Sequence, residues 1–386
     1  MAVTFAPTNK RRTAFNELTV AEVRRLTEDA VEVTFAVPAD LAGKYDYVPG
    51  QYVALRTTLD IDGEPKEVRR SYSICAEPRP GEIRVAIKRD LGGVFSSWAN
   101  ESLKAGDRLD VMSPMGQFIS KHEMTELNHP EKIDTATQNS FVAVAAGSGI
   151  TPVISIARSV LAAGENVRFD LIYANKAAMD VMFLEDLADL KDRYPARFAV
   201  HHVLSREQRI SPLLSGRIDA EKLQALLGGV LRTDDVDEWF LCGPFELVQL
   251  CRDTLAERGV PAEKIRFELF STGEPARPEG QTGRPVRPAD NGENYTISFR
   301  LDGLQGTVES PTHARESLLN AALRVRPDVP FACAGGVCGT CRAKIVSGTV
   351  EMEENYALEP DELAKGYVLT CQARPTSDAV SVDYDA

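Results

Sequence analysis

Phe331-Ala-Cys333-Ala-Gly-Gly-Val-Cys338-Gly-Thr-Cys341, followed after twenty-nine residues by Cys371, is the stretch on which the rest of the chain turns. The spacing C-x4-C-x2-C…C is that of four thiolates holding a plant-type [2Fe–2S] cluster. Two irons with bridging sulfides need four thiolates, and one tight loop can supply three of them. Gly335, Gly336 and Gly339 let that loop adopt positive φ values and bring backbone N–H groups close to the sulfurs, which partly neutralises an anionic cluster. Four cysteines could instead hold Zn²⁺, but structural zinc usually takes two short-spaced cysteine knuckles, which this pattern is not. Cys333, Cys338, Cys341 and Cys371 are therefore expected to be metal ligands, and everything upstream to be machinery that loads electrons onto the cluster.

Around that loop, Tyr295-Thr-Ile-Ser-Phe-Arg-Leu-Asp-Gly alternates as the first arm of a hairpin, and Glu316-Ser-Leu-Leu-Asn-Ala-Ala-Leu-Arg has helical spacing. Strands at Arg342-Ala-Lys-Ile-Val and Ala379-Val-Ser-Val-Asp complete an α+β domain of β-grasp ferredoxin type over residues 294–386. Residues 273–293 are rich in proline and glycine and almost free of large apolar side chains, which reads as a linker.

Residues 12–120 carry six runs of period-two alternation separated by Gly, Pro and Asp turns, the pattern of a small antiparallel β-barrel. One run contains Arg70-Ser71-Tyr72-Ser73, where alternation puts Arg70 and Tyr72 on one face and Ser71 and Ser73 on the other. Gly92-Gly93-Val94-Phe95-Ser96-Ser97 then opens a helix whose N-terminus suits a pyrophosphate, although a plain turn and N-cap would look the same.

Residues 139–272 read as a doubly wound α/β domain, with apolar strands alternating with helical stretches. The first strand ends in Gly147-Ser-Gly149-Ile-Thr151-Pro152, a glycine turn into a helix with proline at a position that needs no N–H. Ser205-Arg206 ends a later strand, where a hydroxyl and a guanidinium can grip a ribose 2′-phosphate, so NADPH is expected over NADH, a plain solvated loop being the competing reading. Cys242-Gly243-Pro244 closes the next strand, and Cys242 could equally be a small buried residue. His201 and His202 sit mid-strand and are assigned no catalysis.

These motifs, in this order, resemble the ferredoxin–NADP⁺ reductase superfamily, with its R-x-Y-S strand, glycine-serine turn, G-x-G-x-x-P turn and C-G-P turn. The resemblance implies that Arg70 pairs with the FAD pyrophosphate, that Tyr72 packs on the isoalloxazine, and that Ser73 lies near its reactive edge with Ser71 beside it. Gly93, Val94, Phe95 and Ser96 would hold the FAD phosphates. Gly147, Gly149, Thr151 and Pro152 would form the NADPH turn, with Ser205 and Arg206 on the 2′-phosphate. Cys242, Gly243 and Pro244 would approach the nicotinamide. Glu268 and Phe270, on the last strand of this unit, would lie near the flavin, Ser73, Cys242 and Glu268 being the candidate catalytic set, although simple packing is an equal reading of the last strand.

The three modules together resemble the reductase components of bacterial multicomponent oxygenases. Asn355-Tyr-Ala-Leu-Glu-Pro-Asp-Glu-Leu-Ala-Lys-Gly-Tyr367-Val-Leu-Thr-Cys-Gln372 is similar to the reductase subunits of the phenylacetyl-CoA epoxidase family. That resemblance implies an NADPH-dependent oxidoreductase passing electrons through FAD and a [2Fe–2S] cluster to a di-iron oxygenase that epoxidises a CoA-bound aromatic ring in phenylacetate degradation. The reductase component of another ring oxygenase and a stand-alone flavin reductase are the competing readings. The chain itself has no paired Glu-x-x-His motif, so the oxygenase iron is expected on a partner.

A net charge of −13 argues against nucleic acid as a partner. No apolar run is long enough to span a bilayer and the first residues lack the apolar core of a signal peptide, so a cytoplasmic protein is expected. Of seven cysteines, Cys75, Cys242 and Cys251 are left over, an odd set that suits a reducing compartment.

Overall fold

The computed structural model describes residues 15–120, 139–270 and 294–386, apart from positions 62, 91, 117, 232, 234, 302, 327, 328, 332–335, 337, 338, 354, 356, 357 and 359. The alternating segments at the start form β1 (Phe15–Thr27), β2 (Ala30–Ala36), β3 (Tyr52–Ile61), β4 (Glu64–Ser73), β5 (Glu82–Lys88) and β6 (Arg108–Met112). They make one antiparallel sheet in the order β4-β3-β6-β1-β2-β5. The bridge Ile74↔Val85 and a 2.9 Å bond from the Cys75 N–H to the Arg84 carbonyl draw the end of β4 to β5, so the sheet nearly closes on itself. Val33, Phe35, Leu55 and Val85 fill the interior, and helix α1 (Val94–Glu101) adds Phe95 and Ala99 to it.

β2 departs from simple alternation because both of its faces are covered. Val31, Val33 and Phe35 point into the barrel, whereas Ala30 belongs to the core of the next unit. That unit has five parallel strands, β7 (Asn139–Ala146), β8 (Val167–Asn175), β9 (Phe198–Leu204), β10 (Glu238–Gly243) and β11 (Ile265–Leu269), in the order β11-β10-β7-β8-β9. Strands buried on both faces need near-continuous apolar runs, and the all-apolar stretch Phe141-Val-Ala-Val-Ala145 is one. Helices α2 (Ile150–Ala163), α3 (Leu184–Arg193), α4 (Ala220–Gly229) and α5 (Phe245–Glu257) connect the strands. The chain steps outward from β7 through β8 and β9, then returns to place β10 on the other side of β7. The switch point between β7 and β10 is where such sheets open a crevice for ligands.

The last unit comprises β12 (Asn294–Leu301), β13 (Leu304–Pro311), β14 (Arg342–Ser347), β15 (Val350–Met352), β16 (Tyr367–Leu369), β17 (Ala373–Pro375) and β18 (Ala379–Asp383), with helices α6 (Leu318–Leu323) and α7 (Pro360–Ala364). Its main sheet runs β13-β12-β18-β14-β16, and β15 pairs with β17 apart from it. Helix α6 is shorter than the helical spacing from Glu316 suggested. The Ser317 hydroxyl accepts the Asn320 N–H as an N-cap, and Glu316 turns back to the Arg324 guanidinium at 2.9 Å. Among the described residues no helix is long and apolar enough to cross a membrane.

Barrel and nucleotide-type unit are joined by polar contacts around an apolar seam. Ser155 donates to the Ala76 carbonyl at 2.6 Å and Arg158 to that of Cys75 at 3.1 Å. Arg24 reaches both Glu32 (2.9 Å) and Asp186 (3.1 Å), and Arg158 also pairs with Asp186 (2.5 Å). Glu32 is 3% exposed, so removing Arg24 alone would leave a charge in the seam without its cation.

Candidate functional site

The end of β4 is where the three units meet. Alternation sends Arg70 and Tyr72 to one face, where Tyr72 packs on Phe95 with ring centroids 5.6 Å apart. Burial pushes the Tyr72 phenol well above its ordinary range, with Arg70 pulling it the other way. The Arg70 guanidinium donates to the carbonyl of its own neighbour Arg69 at 2.6 Å. Arg69, Ser71 and Ser73 take the opposite face. Ser73, 4% exposed, donates to Glu268 at 3.4 Å, and Glu268 is the register partner of Cys242 across β10 and β11. Ser73, Cys242 and Glu268, three distant positions in sequence, are thus brought together. Burial raises the Glu268 carboxyl to about 7, the Ser73 hydroxyl opposing the shift, and burial with Glu268 nearby raises the Cys242 thiol well above its usual value.

At the switch point two turns lock against each other. A Cβ on Gly149 would lie 2.3 Å from the Cys242 carbonyl oxygen, and one on Gly243 (φ +153°) would lie 3.1 Å from the Ala146 Cβ. Gly147 (φ +53°) faces the other way, and among the described residues beyond its chain neighbours nothing lies within 4 Å of where its Cβ would be. The Thr151 hydroxyl donates to the Ser148 carbonyl at 3.0 Å and holds the turn, Pro152 follows inside α2, and the Phe270 N–H donates to the Gly243 carbonyl at 2.9 Å. Gly243 leads through Pro244 into α5. Ser205 and Arg206 are exposed at the end of β9, their N–H groups bonded to the carbonyls of Asn175 and Lys176 at the end of β8. His201 and His202 lie on β9, where burial lowers both below the usual histidine range.

The N-cap of α1 is Gly93, which has no side chain to cap the first turn, and a helix N-terminus of this kind is where an anion is held. Among the described residues beyond its chain neighbours, nothing lies within 4 Å of where a Cβ on Gly92 (φ +76°) would be. The Ser96 hydroxyl is engaged by the turn itself, donating to the Gly93 carbonyl at 3.2 Å and accepting the Asp90 N–H at 3.1 Å.

In the last unit Cys341 and Cys371 are buried thiols outside any disulfide. They are drawn together by Thr370, whose N–H and hydroxyl both donate to the Cys341 carbonyl, at 3.1 and 2.9 Å. The buried Tyr384 hydroxyl is 3.0 Å from that of Thr370. Gly336 (φ +77°) and Gly339 (φ +68°) take the left-handed conformation that the loop requires. Cys333 and Cys338 lie outside the described residues. Thr340, between Gly339 and Cys341, reaches the barrel: its hydroxyl donates to the Tyr52 oxygen at 3.0 Å and lies 3.4 Å from that of Ser71.

Three family models match the chain: an oxidoreductase FAD-binding domain over residues 17–119, an oxidoreductase NAD-binding domain over 143–253, and a 2Fe-2S iron-sulfur cluster binding domain over 299–376. The chain is 42% identical over 374 residues to a subunit of the 1,2-phenylacetyl-CoA epoxidase of Escherichia coli (strain K12), covering 97% of this chain and 99% of that protein. It is 35% identical over 376 residues to the ferredoxin reductase component of 3-ketosteroid-9-alpha-monooxygenase of Mycolicibacterium smegmatis, covering 96% and 97%. This chain belongs to the family of oxygenase reductases. In fold it is similar to phthalate dioxygenase reductase, with TM-score 0.55 and 21% identity over 97% of this chain and 100% of that one.

The reductase carries electrons from NAD(P)H through FAD to a [2Fe–2S] cluster, and its own residues suit those groups. The α1 N-terminus and the Gly92 turn fit a flavin pyrophosphate and the open side of Gly147 fits that of a dinucleotide; the buried Cys341 beside the left-handed Gly339, with Cys371 next to the Thr370 that bonds the Cys341 carbonyl, fits part of a cluster. Three further residues of the reductase escaped the sequence reading: Arg69, Tyr52 and Thr340. A faint signal existed, since alternation along β4 turns Arg69 away from Arg70 and demands a second partner surface.

Proposed function

We propose that this reductase draws electrons from NADPH and delivers them, in the cytoplasm, to a di-iron oxygenase that epoxidises the ring of phenylacetyl-CoA. The observation carrying this reading is the meeting at β4, where Ser73 bonds Glu268 of the nucleotide-binding unit and Ser71 faces Thr340 beside a cluster ligand. One strand end therefore contacts both the electron entry and the electron exit. Flavin supplies, when bound, the conversion of a two-electron hydride into single electrons that an iron–sulfur centre can accept.

The chain's own residues would do the rest. Arg70 and the α1 N-terminus would hold FAD phosphates, with Gly93, Val94, Phe95 and Ser96 shaping the turn, while Tyr72 would lie against the flavin ring. Gly147, Gly149 and Pro152 would seat the dinucleotide pyrophosphate, with Ser205 and Arg206 on a 2′-phosphate. Cys242 and Gly243 would admit the nicotinamide to the space beside Ser73, where Glu268, with a carboxyl near neutrality, can hold or release a proton at Oε2. Cys333, Cys338, Cys341 and Cys371 would ligate the cluster. The likeness to an epoxidase component supports this acceptor, and the likeness to a steroid monooxygenase component supports a different ring oxygenase. Reconstitution decides: the reductase mixed with the epoxidase oxygenase, NADPH and phenylacetyl-CoA should yield epoxide, and no product there with product from another ring oxygenase would overturn the assignment.

A further inference from the structure

The loop that carries three of the four expected ligands is tied to the flavin-binding barrel at both of its ends. At one end stands Phe331. The Arg69 guanidinium lies 5.7 Å from its ring centroid and 5.4 Å from that of Phe15 on β1, and donates to the Val329 carbonyl at 3.4 Å. Arg69 is 3% exposed and Val329 fully buried, so a barrel side chain is sunk into the neighbouring unit. A cation between two aromatic faces, shielded from water, is held more firmly than an exposed one. At the other end stands Thr340, 3% exposed, whose single hydroxyl proton goes to Tyr52 at 3.0 Å. The Ser71 hydroxyl lies 3.4 Å from that of Thr340 and completes the contact from β4. Tyr52 is itself 5% exposed and sits on β3, paired with β4 through Ser73. Both ties start from buried barrel residues: Arg69 anchors its tie on β4, with Phe15 of β1 beside it, and Thr340 reaches Tyr52 on β3 and Ser71 on β4, close to where Ser73 meets Glu268.

We propose that Arg69, Tyr52 and Thr340 are positioning residues that clamp the cysteine loop against the flavin-binding strands and thereby set the rate of electron passage from flavin to cluster. The clamp rests on the proposed route from FAD to the cluster. Each crossing moves one electron, oxidising the flavin side by one and reducing the cluster side by one; no bond is broken, and two crossings discharge one hydride. None of the three residues touches the reacting atoms. They act by fixing a separation, to which electron passage is steeply sensitive.

The test uses the full-length holoprotein in anaerobic stopped flow with NADPH, following flavin bleaching and cluster reduction separately. Tyr52→Phe, which keeps the ring and removes the hydroxyl, should slow cluster reduction roughly three- to tenfold, the scale of one buried hydrogen bond. Thr340→Val should slow it by about tenfold or more, because it leaves the Tyr52 and Ser71 hydroxyls facing a methyl group, and Thr340→Ser should restore most of the rate. Flavin bleaching in Tyr52→Phe should match wild type, and so should the midpoint potential and electron paramagnetic resonance spectrum of its cluster. Cluster reduction at the wild-type rate in both Tyr52→Phe and Thr340→Val would overturn the clamp alone, and so would a shifted potential in Tyr52→Phe that accounts for the slowing. A wild-type cluster that stays oxidised while its flavin is reduced would overturn the route, and the clamp with it.

Discussion

At the level of single residues, charge and burial decide what each side chain can do. Arg206 is exposed at the end of β9 beside Ser205, so its only large contribution should be to a ligand. A charge-assisted contact to a 2′-phosphate is worth roughly 1.5–3 kcal/mol, so Arg206→Ala should raise KM for NADPH about ten- to a hundred-fold and leave that for NADH nearly unchanged. Equal effects in steady-state kinetics on both nucleotides would remove the 2′-phosphate assignment. Glu268 is the opposite case, a carboxyl raised by burial from 4.5 to about 7. Its folded value lies above its unfolded one, so its effect on stability is nil below about pH 4.5 and grows unfavourable as pH rises to about 7. The full penalty is at most about 3–4 kcal/mol, less whatever water screens at this partly buried group. Glu268→Gln removes the titration, so its stability advantage over wild type should be larger at pH 8 than at pH 5 in urea unfolding. The same advantage at both values would mean that the carboxyl titrates normally.

At the level of elements, the two turns at the switch point behave as one part. A Cβ on Gly149 would come within 2.3 Å of the Cys242 oxygen, 2.6 Å of its carbonyl carbon and 2.9 Å of the Gly243 nitrogen, all of them backbone and unable to swing away. Gly149 itself has ordinary right-handed dihedrals (φ −60°), so alanine there is a purely steric probe. Overpacking of this kind costs about 1–3 kcal/mol, and Gly149→Ala should cut NADPH-driven ferricyanide reduction about five- to a hundred-fold while flavin content stays at one per chain. Wild-type turnover would show that the turns can part without consequence. The parts of the site visible in sequence are those set by local chemistry: glycines in turns, a proline at the start of α2, apolar runs for β7 and β10. What escaped is what depends on assembly. β4 reads as an alternating strand, but nothing in its period says that Ser73 will meet a carboxylate 195 residues away or Ser71 a threonine 269 residues away. Likewise the hydroxyls of Thr151 and Ser96, plausible ligand contacts by type, are taken by the carbonyls of their own turns.

At the level of the whole molecule, the three units are joined unequally, and the difference sets what can be separated. The barrel and nucleotide-binding unit share an apolar seam that runs from Ala30 and Cys75 into α2, overlaid by the Arg24, Glu32, Asp186 and Arg158 network. The ferredoxin-type unit has its own core around Phe299, Leu318 and Leu369, and among the described residues it meets the barrel at Arg69, Tyr52 and Ser71 through Val329, Phe331 and Thr340. Three sequential modules were readable from composition and motif, because each has its own apolar periodicity and the stretch between the last two has almost none. A chain ending at Thr272 should therefore fold, since the guanidinium of Arg69 and the hydroxyl of Tyr52, once uncovered, can be satisfied by water. It should bind FAD and reduce ferricyanide with NADPH at close to the full-length rate, because that acceptor takes electrons from flavin directly. It should not support the oxygenase, whose electrons are expected to leave through the cluster. Cys338→Ser in the full chain separates loss of the cluster from loss of the unit: it should keep ferricyanide turnover and lose oxygenase support while the remaining thiols and the barrel contact persist. An oxygenase driven at full rate by the shortened chain would mean that electrons leave from the flavin edge, and that the cysteine loop serves some purpose other than exit.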